Sequence, residues 1–421
     1  MLSWLRASFG LSFIGSVSSF SVAHAVNVLL PLLMIPYLAR VLGAESLGLV
    51  AFSQSFGFYV TRIVEFGFDL SAARNIARHR DDPASLSDIL GCVLTAKLIL
   101  LAVAATAAGL AFLLIPAFHA HHAVFWSGFL WGLGQSLSMV WFFQGIERLW
   151  TVVAAEVTCK AAAAAATMLV VRQPEDGWLY LALHGAAALA AAAIGLGLAR
   201  RTTPPAVPSA AAVARTMREG FAMFLFRVSE GLYTVGAPFL LGLMAPPQVV
   251  GYFAGAERIA RAAVRLTGPL GGAVFPHMSH LARRSRSAAA ATGRLTITLF
   301  AAVGLMISLT LWLLAPVAVD LLLGPGFRPS VADLEILALL PVLSAVTQAI
   351  GFQWMVPLGL DRAFVVVAFS SGAAYMALAS VLTPSFGDIG MATTVILAEA
   401  FCLAVMALLL RARRLDPFSM R

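Results

Sequence analysis

Apolar residues recur along this chain in runs of roughly twenty or more, separated by short polar links, and each run is long enough to cross about 30 Å of hydrocarbon as a helix. Twelve such runs are read, over residues 13–38, 45–67, 86–114, 121–145, 150–171, 177–199, 217–244, 248–278, 292–315, 331–357, 362–383 and 388–410. With 60% hydrophobic and 11% charged residues and a mean hydropathy of +0.90, the chain cannot hide its apolar surface in a water-soluble core. The expected fold class is therefore an all-α integral membrane protein. The opening "MLSWLRASFGLSFIGSVSSFSVAHA" imitates a signal peptide through Arg6, an apolar stretch and Ala23-His24-Ala25. Apolar sequence continues through "VNVLLPLLMIPYL", so this segment is read as the first half of one full-length span.

A net charge of +8 and a pI near 10 would suggest a nucleic-acid partner in a soluble protein. The basic residues instead follow the spans. With the N-terminus in the cytoplasm, eighteen of the 28 Lys and Arg lie inside, and only Arg40, Arg172 and Arg328 lie outside. That bias places both termini in the cytoplasm and speaks against nucleic acid. Cys92, Cys159 and Cys402 fall inside apolar spans, where a thiol acts as a small hydrophobe, so neither a disulfide framework nor a metal site is implied. His119, His121 and His122 share a short external loop without a Cys or carboxylate to complete a ligand set, and read as solvated.

"RRTTPPAVPSAAAVART" (200–216) is the longest polar, Pro-rich break in the middle of the chain and reads as a linker between an N-terminal lobe, 1–204, and a C-terminal lobe, 205–421. Six spans on each side give the halves the same orientation, which predicts two six-helix lobes related by a parallel pseudo-two-fold. "GLVAF" at Gly48 matches "GYFAG" at Gly251 at an offset of 203, and the same offset carries Arg62 onto Arg265. Gly128 and Gly132 stand at GxxxG spacing, and the spans at 150–171 and 177–199 are Ala-rich. Small faces of this kind serve close helix packing.

Seven bases remain within spans: Arg62, Lys97, Lys160, Arg227, Arg258, Arg261 and Arg265. At 100° per residue, positions 258, 261 and 265 fall within about 60° of one another, so the three guanidinium groups form a stripe along one helix side. Three Arg in lipid would cost roughly 8–10 kcal/mol, so the stripe must face something polar. Five intramembrane acids are at hand. Glu156 is spaced to pair with Lys160 and Glu230 with Arg227, while Glu257 adjoins the stripe, Glu65 follows Arg62, and Glu399 stands apart. Two readings stay open: interhelical ion pairs that hold the bundle together, or a water-filled cationic cavity between lobes that receives an anion. The predominance of Arg over Lys suits bidentate phosphate recognition, but a basic cavity alone does not say which anion.

Several stretches resemble the polysaccharide-transporter family of lipid-linked repeat-unit flippases, the O-antigen flippases, within the multidrug/oligosaccharidyl-lipid/polysaccharide exporter superfamily. The carriers are "LLPLLMIPYLARVLGAESLGLVAFSQS" (29–55), "IVEFGFDLSAARNIARHRDD" (63–82), "WFFQGIERL" (141–149), "GYFAGAERIARAAVRLTGPLGGAVFPHMSHL" (251–281) and "PLGLDRAF" (357–364). The resemblance implies about twelve helices in two lobes, alternating access, no catalytic activity and no cofactor. It also implies transfer of an oligosaccharide on undecaprenyl diphosphate from the cytoplasmic to the periplasmic leaflet of the bacterial inner membrane, alongside a polysaccharide polymerase. A diphosphate needs cations, a sugar needs a hydrated path, and a polyprenyl tail can stay in lipid. On this basis Arg258, Arg261 and Arg265 are expected to bind the diphosphate, with Arg62 opposite them and Arg227, Lys97 and Lys160 extending the field. Arg74, Arg78 and Arg80 either greet the head group at the cytoplasmic entrance or simply anchor the helix at the membrane surface.

No G-x-x-x-x-G-K-[ST] loop occurs, so a proton or sodium gradient is the expected driver, with Glu65, Glu230, Glu257 and Glu399 as candidate coupling carboxylates. A multidrug exporter or a lipid II flippase of the same superfamily are the rivals within transport. A polyprenyl-phosphate enzyme using Asp81 and Asp82 for magnesium is the rival from another class, and it lacks the further carboxylates such a site needs.

Overall fold

The computed structural model describes residues 11–284 and 286–418. Among these every regular element is helical. In chain order they are α1 (Leu11–Glu65), α2 (Phe68–Arg78), α3 (Pro83–Leu114), α4 (Pro116–Ala120), α5 (His122–Ser136), α6 (Val140–Gly145), α7 (Leu149–Val170), α8 (Gly177–Thr202), α9 (Ala210–Thr234), α10 (Ala237–Gly242), α11 (Pro247–Arg265), α12 (Gly268–Arg284), α13 (Arg286–Leu313), α14 (Ala315–Leu322), α15 (Ser330–Leu337), α16 (Leu340–Ile350) and α17 (Asp361–Ala412).

Seven helical segments among the described residues are apolar and long enough to cross a membrane. α1 and α17 each cover two of the expected passages, because the backbone leaves helical geometry at Gly43 (φ 69°, ψ 178°) in α1 and at Gly387 (φ 58°, ψ −128°) in α17. The three remaining expected spans are helical but interrupted: α5 with α6, α9 with α10, and α11 with α12. Each of the twelve apolar runs thus has a helical counterpart, and the protein is a multi-pass membrane protein. α1 runs without a break through Ala23-His24-Ala25, as one full-length span requires.

The chain divides into two compact units: unit 1 holds Leu49–Val228 with the segment before Ile35, and unit 2 holds Ile35–Gly48 with Ser229 onward. In unit 1, Phe68, Ile76, Leu90, Val93, Phe142 and Val153 form one buried apolar cluster from α2, α3, α6 and α7. The GxxxG pair of α5 packs backbone to backbone on α1. A Cβ on Gly132 would lie 2.1 Å from the Gly57 carbonyl oxygen and one on Gly128 2.4 Å from that of Ser53. The Thr61 hydroxyl lies 2.9 Å from the Gly132 carbonyl oxygen, adding a polar tie across the same seam. The Pro-rich break is strapped down: the Ala206 amide donates to Ser87 O, and a Cβ on Gly91 would collide with Ala206 O at 2.0 Å. Around Ala206 it lies as a strap on α3.

In unit 2, Trp354, Phe300, Met278, Met355, Val367 and Met406 form the core, and the indole of Trp354 donates to Leu415 O at 2.9 Å. The segment just after Gly43 meets the start of α11 in a reciprocal contact. A Cβ on Gly48 would lie 1.8 Å from Pro247 O, and one on Gly251 would lie 1.8 Å from Ala44 O. Ala44 and Pro247, like Gly48 and Gly251, are 203 residues apart, so two strips at the offset seen in the sequence pack against each other. Only glycine permits so close a backbone approach.

This contact sets a test. Gly48→Val and Gly251→Val should each force the helices apart and cost about 1–3 kcal/mol, read as a lower thermal midpoint in detergent. Gly109→Ala, whose added Cβ meets nothing within 4 Å, should leave the midpoint unchanged or slightly higher.

Candidate functional site

α1 ends where Phe66 (φ 47°) and Gly67 (φ 71°) adopt left-handed backbone. A Cβ on Gly67 would meet Met223 Cβ at 2.6 Å and Phe224 N at 2.8 Å, so glycine is required both by torsion and by the closeness of α9. The Phe66 and Phe224 rings stack there at 4.5 Å. The break aims the first turn of α2 at α9, where Arg227 Nη2 meets Asp69 Oδ2 at 2.7 Å. Asp69 also gains from the positive end of the α2 macrodipole.

One turn earlier, Arg62 Nη1 pairs with Glu65 Oε2 at 3.0 Å, and its guanidinium lies 4.5 Å over the Phe58 ring. Lys97, 3% exposed, donates from Nζ to Ser136 O at 2.6 Å and stands 6.0 Å from the Trp141 ring. Arg62, Lys97, Asp69 and Arg227 all act electrostatically on Glu65. Among the described residues, unit 1 therefore gathers Arg62, Lys97, Arg227, Glu65 and Asp69 into one network. Arg62 Nε and Asp69 Oδ1 are buried there without a hydrogen-bond partner.

In unit 2 the 258/261/265 stripe lies on α11 as the helical period predicts, and its members differ. Arg261 closes its fork on a single oxygen of Glu257, with Nε at 2.8 Å and Nη2 at 2.7 Å. Glu257 is 5% exposed, so this ion pair is anchored on its buried side. Arg258 is half-buried and Arg265 exposed, and Arg261 acts electrostatically on both Arg265 and Glu399. Glu399, on α17, accepts from the Ser344 hydroxyl at 3.2 Å.

Lys160 and Glu156 pair along α7 at 3.7 Å, with Ser138 donating to Glu156 at 2.6 Å. Neither belongs to the two networks above. Arg74 and Arg78 are exposed on α2. Arg80 is committed to Glu147 at 2.8 Å and so braces the α2–α3 turn against the α6–α7 turn. The side chain of Glu230, the partner expected for Arg227, lies outside the described residues; Asp69 is a partner of Arg227 that the sequence reading did not name. That residue sits 158 positions away in sequence and was missed because spacing rules see only neighbours on one helix.

The Asp81-Asp82 pair is not a metal site in waiting. Asp82 is the N-cap of α3, accepting from the Ala84 amide at 3.1 Å and the Ser85 hydroxyl at 2.6 Å. Those hydrogen bonds, the Ser85 hydroxyl foremost, hold its carboxyl below the usual value. Among the described residues no group of three or more His, Cys, Asp or Glu could hold a metal ion.

A family model described as "Polysaccharide biosynthesis protein" matches residues 14–282. Two relatives named "Putative O-antigen transporter" align along nearly their whole lengths. The one from Escherichia coli (strain K12) is 28% identical, covering 96% of this chain and 98% of its own. The one from Shigella dysenteriae is 26% identical, covering 91% and 96%. Among solved structures, the lipid II flippase MurJ in an inward closed conformation superposes with a TM-score of 0.71 at 13% identity, covering 93% of this chain and 87% of its own. An inward-facing multidrug-resistance MATE transporter of the MOP superfamily gives 0.66 at 14%, covering 95% and 99%. At such identities these two speak for the fold, which is that of the MOP-superfamily transporters.

The Asp69–Arg227 pair yields a prediction. Asp69→Asn leaves a three-quarters-buried guanidinium without its carboxylate and should destabilise the protein by about 1–3 kcal/mol. Combining it with Arg227→Gln should recover part of that loss, a coupling of about 0.5–3 kcal/mol in a double-mutant cycle. Thermal or denaturant unfolding in detergent reads both.

Proposed function

Because the chain belongs to the polysaccharide biosynthesis protein family, we propose that it is a flippase for undecaprenyl-diphosphate-linked oligosaccharide. In this reading it moves an O-antigen or exopolysaccharide repeat unit from the cytoplasmic to the periplasmic leaflet of the inner membrane, with both termini cytoplasmic. The naming of both full-length relatives as O-antigen transporters supports the substrate class, and the MOP-type fold supports transport by alternating access.

One observation carries the chemistry. Among the described residues, membrane-spanning sequence holds two groups of three cations: Arg62, Lys97 and Arg227 around Glu65 and Asp69, and Arg258, Arg261 and Arg265 along one side of α11. So many cations within spans are costly unless an anion meets them. A multiply charged diphosphate is an anion that such groups suit. Arg258, Arg261 and Arg265 are the proposed diphosphate ligands, with Arg62, Arg227 and Lys97 forming the second cationic set and Lys160 a more distant contribution. Arg74 and Arg78 serve the cytoplasmic entrance, where Arg80 is a brace through Glu147. Coupling to a proton or sodium gradient would fall to Glu65, Glu230, Glu257 or Glu399. Of these, Glu257 and Glu65 already hold arginines and can exchange a cation partner for a small ion.

The test is transbilayer movement of a fluorescent undecaprenyl-diphosphate oligosaccharide in proteoliposomes. A triple Arg258→Gln, Arg261→Gln, Arg265→Gln variant that inserts normally should lose movement at least about tenfold, since each lost charge-assisted hydrogen bond is worth about 1.5–3 kcal/mol. Equal movement by both proteins would retire the stripe as a substrate site. No movement by either, under an imposed ion gradient, would overturn the flippase reading.

A further inference from the structure

Gln353 lies just past α16, in the turn Gly351–Met355, where the helix widens to π geometry and the Val356 amide donates to Gly351 O at 3.1 Å. It is 4% exposed, and its Oε1 is buried without a hydrogen-bond partner. Its chain neighbours Trp354 and Met355 belong to the apolar core of unit 2. An unmet amide in such surroundings costs stability and calls for a reason. Single π-helical turns recur at functional sites.

In an α-helix, residues five apart diverge by about 140°. Here the wider turn brings Gln348 and Gln353 to one place instead: a Cβ on Gly271 of α12 would lie 3.1 Å from Nε2 of each. Glycine at 271 therefore leaves the space in which the two amides meet. Gln348 is half-buried, and its Oε1 lies 3.5 Å from the Thr267 hydroxyl, which already donates to Val264 O at 2.8 Å. That hydroxyl gives Gln348 no full hydrogen bond. Ser344, one turn earlier on α16, is by contrast committed to Glu399 at 3.2 Å. Thr267 stands in the break between α11 and α12, just after Arg265, so the amides begin where the arginine stripe ends.

Each amide offers an acceptor oxygen and two N–H donors, and carries no charge. Such a pair suits hydroxyl groups, which both donate and accept. It also spares an anion held beside it the repulsion that a carboxylate would bring. In a diphosphate-linked oligosaccharide the first sugar is bonded directly to the phosphate, so its hydroxyls lie within one ring of the phosphate ligands. We propose that Gln348 and Gln353 form the subsite for that first sugar, at the end of the Arg258, Arg261 and Arg265 stripe, with the π turn placing the second amide beside the first. This assignment rests on the flippase reading and adds to it a neutral recognition site that the cations do not supply.

The test is equilibrium binding of two fluorescent probes to the purified full-length protein in detergent: undecaprenyl diphosphate carrying the oligosaccharide, and undecaprenyl diphosphate without sugar. The quantity read is the ratio of the two affinities within each protein, which a general loss of stability does not mimic. The unmodified protein should prefer the sugar-bearing probe by about tenfold, as a few neutral hydrogen bonds allow. Gln353→Leu and Gln348→Leu should each bring the ratio down to about threefold or less. Gly271→Ala, whose methyl group would press on both amides, should lower it too, and keeps the proposal testable should a glutamine variant fail to fold. An undiminished ratio in the glutamine variants, or a ratio near one in the unmodified protein, would overturn the subsite and leave the diphosphate ligands standing. Binding of neither probe by the unmodified protein would overturn the flippase reading, and the subsite with it.

Discussion

A charge in hydrocarbon needs a counter-charge or a polar neighbour, and that requirement organises this protein more than any apolar contact does. In lipid, apolar surface gains little by facing other apolar surface, so the bundle is held in register by its few polar groups and by its closest backbone contacts. Lys97 illustrates the point. It is nearly fully buried, and its ammonium is accommodated by the Ser136 carbonyl where α5 ends, by the face of Trp141, and by the field of Glu65 and Asp69. Four elements must be in place before that one lysine is tolerable, so its burial reports on the assembly of the whole end of unit 1.

The second organising contact is steric. Where α1 bends at Gly43, Ala44 and Gly48 meet Pro247 and Gly251, and the two glycines leave room for each backbone to approach the other's carbonyl oxygen. Positions 44 and 247, like 48 and 251, stand 203 residues apart, so the offset legible in the sequence coincides with a close backbone approach.

Much of this was legible in the sequence. Apolar run length gave the helical passages, because a span needs about 20 residues whatever their identity. Helical periodicity placed Arg258, Arg261 and Arg265 on one side and correctly paired Glu156 with Lys160. Local rules stopped where the chain changes direction. Asp69 reaches Arg227 only because Phe66 and Gly67 turn the backbone, and no periodicity crosses such a break.

The arrangement around Arg261 constrains how an anion could be handled on the flippase reading. Its Nε–Nη2 edge is closed on one oxygen of a buried glutamate, so a diphosphate takes that edge only if Glu257 gives it up. Binding is then an exchange, and only the difference between two strong charge-assisted interactions remains as affinity. For a substrate that must be released on the other side this is an advantage, because a bare cationic cleft would hold a diphosphate too tightly to let go. The displaced carboxylate is left buried and facing phosphate, and needs another cation in place of the guanidinium. Arrival of the anion and binding of a coupling ion would thus be linked through one ion pair on one turn of helix, without a separate relay.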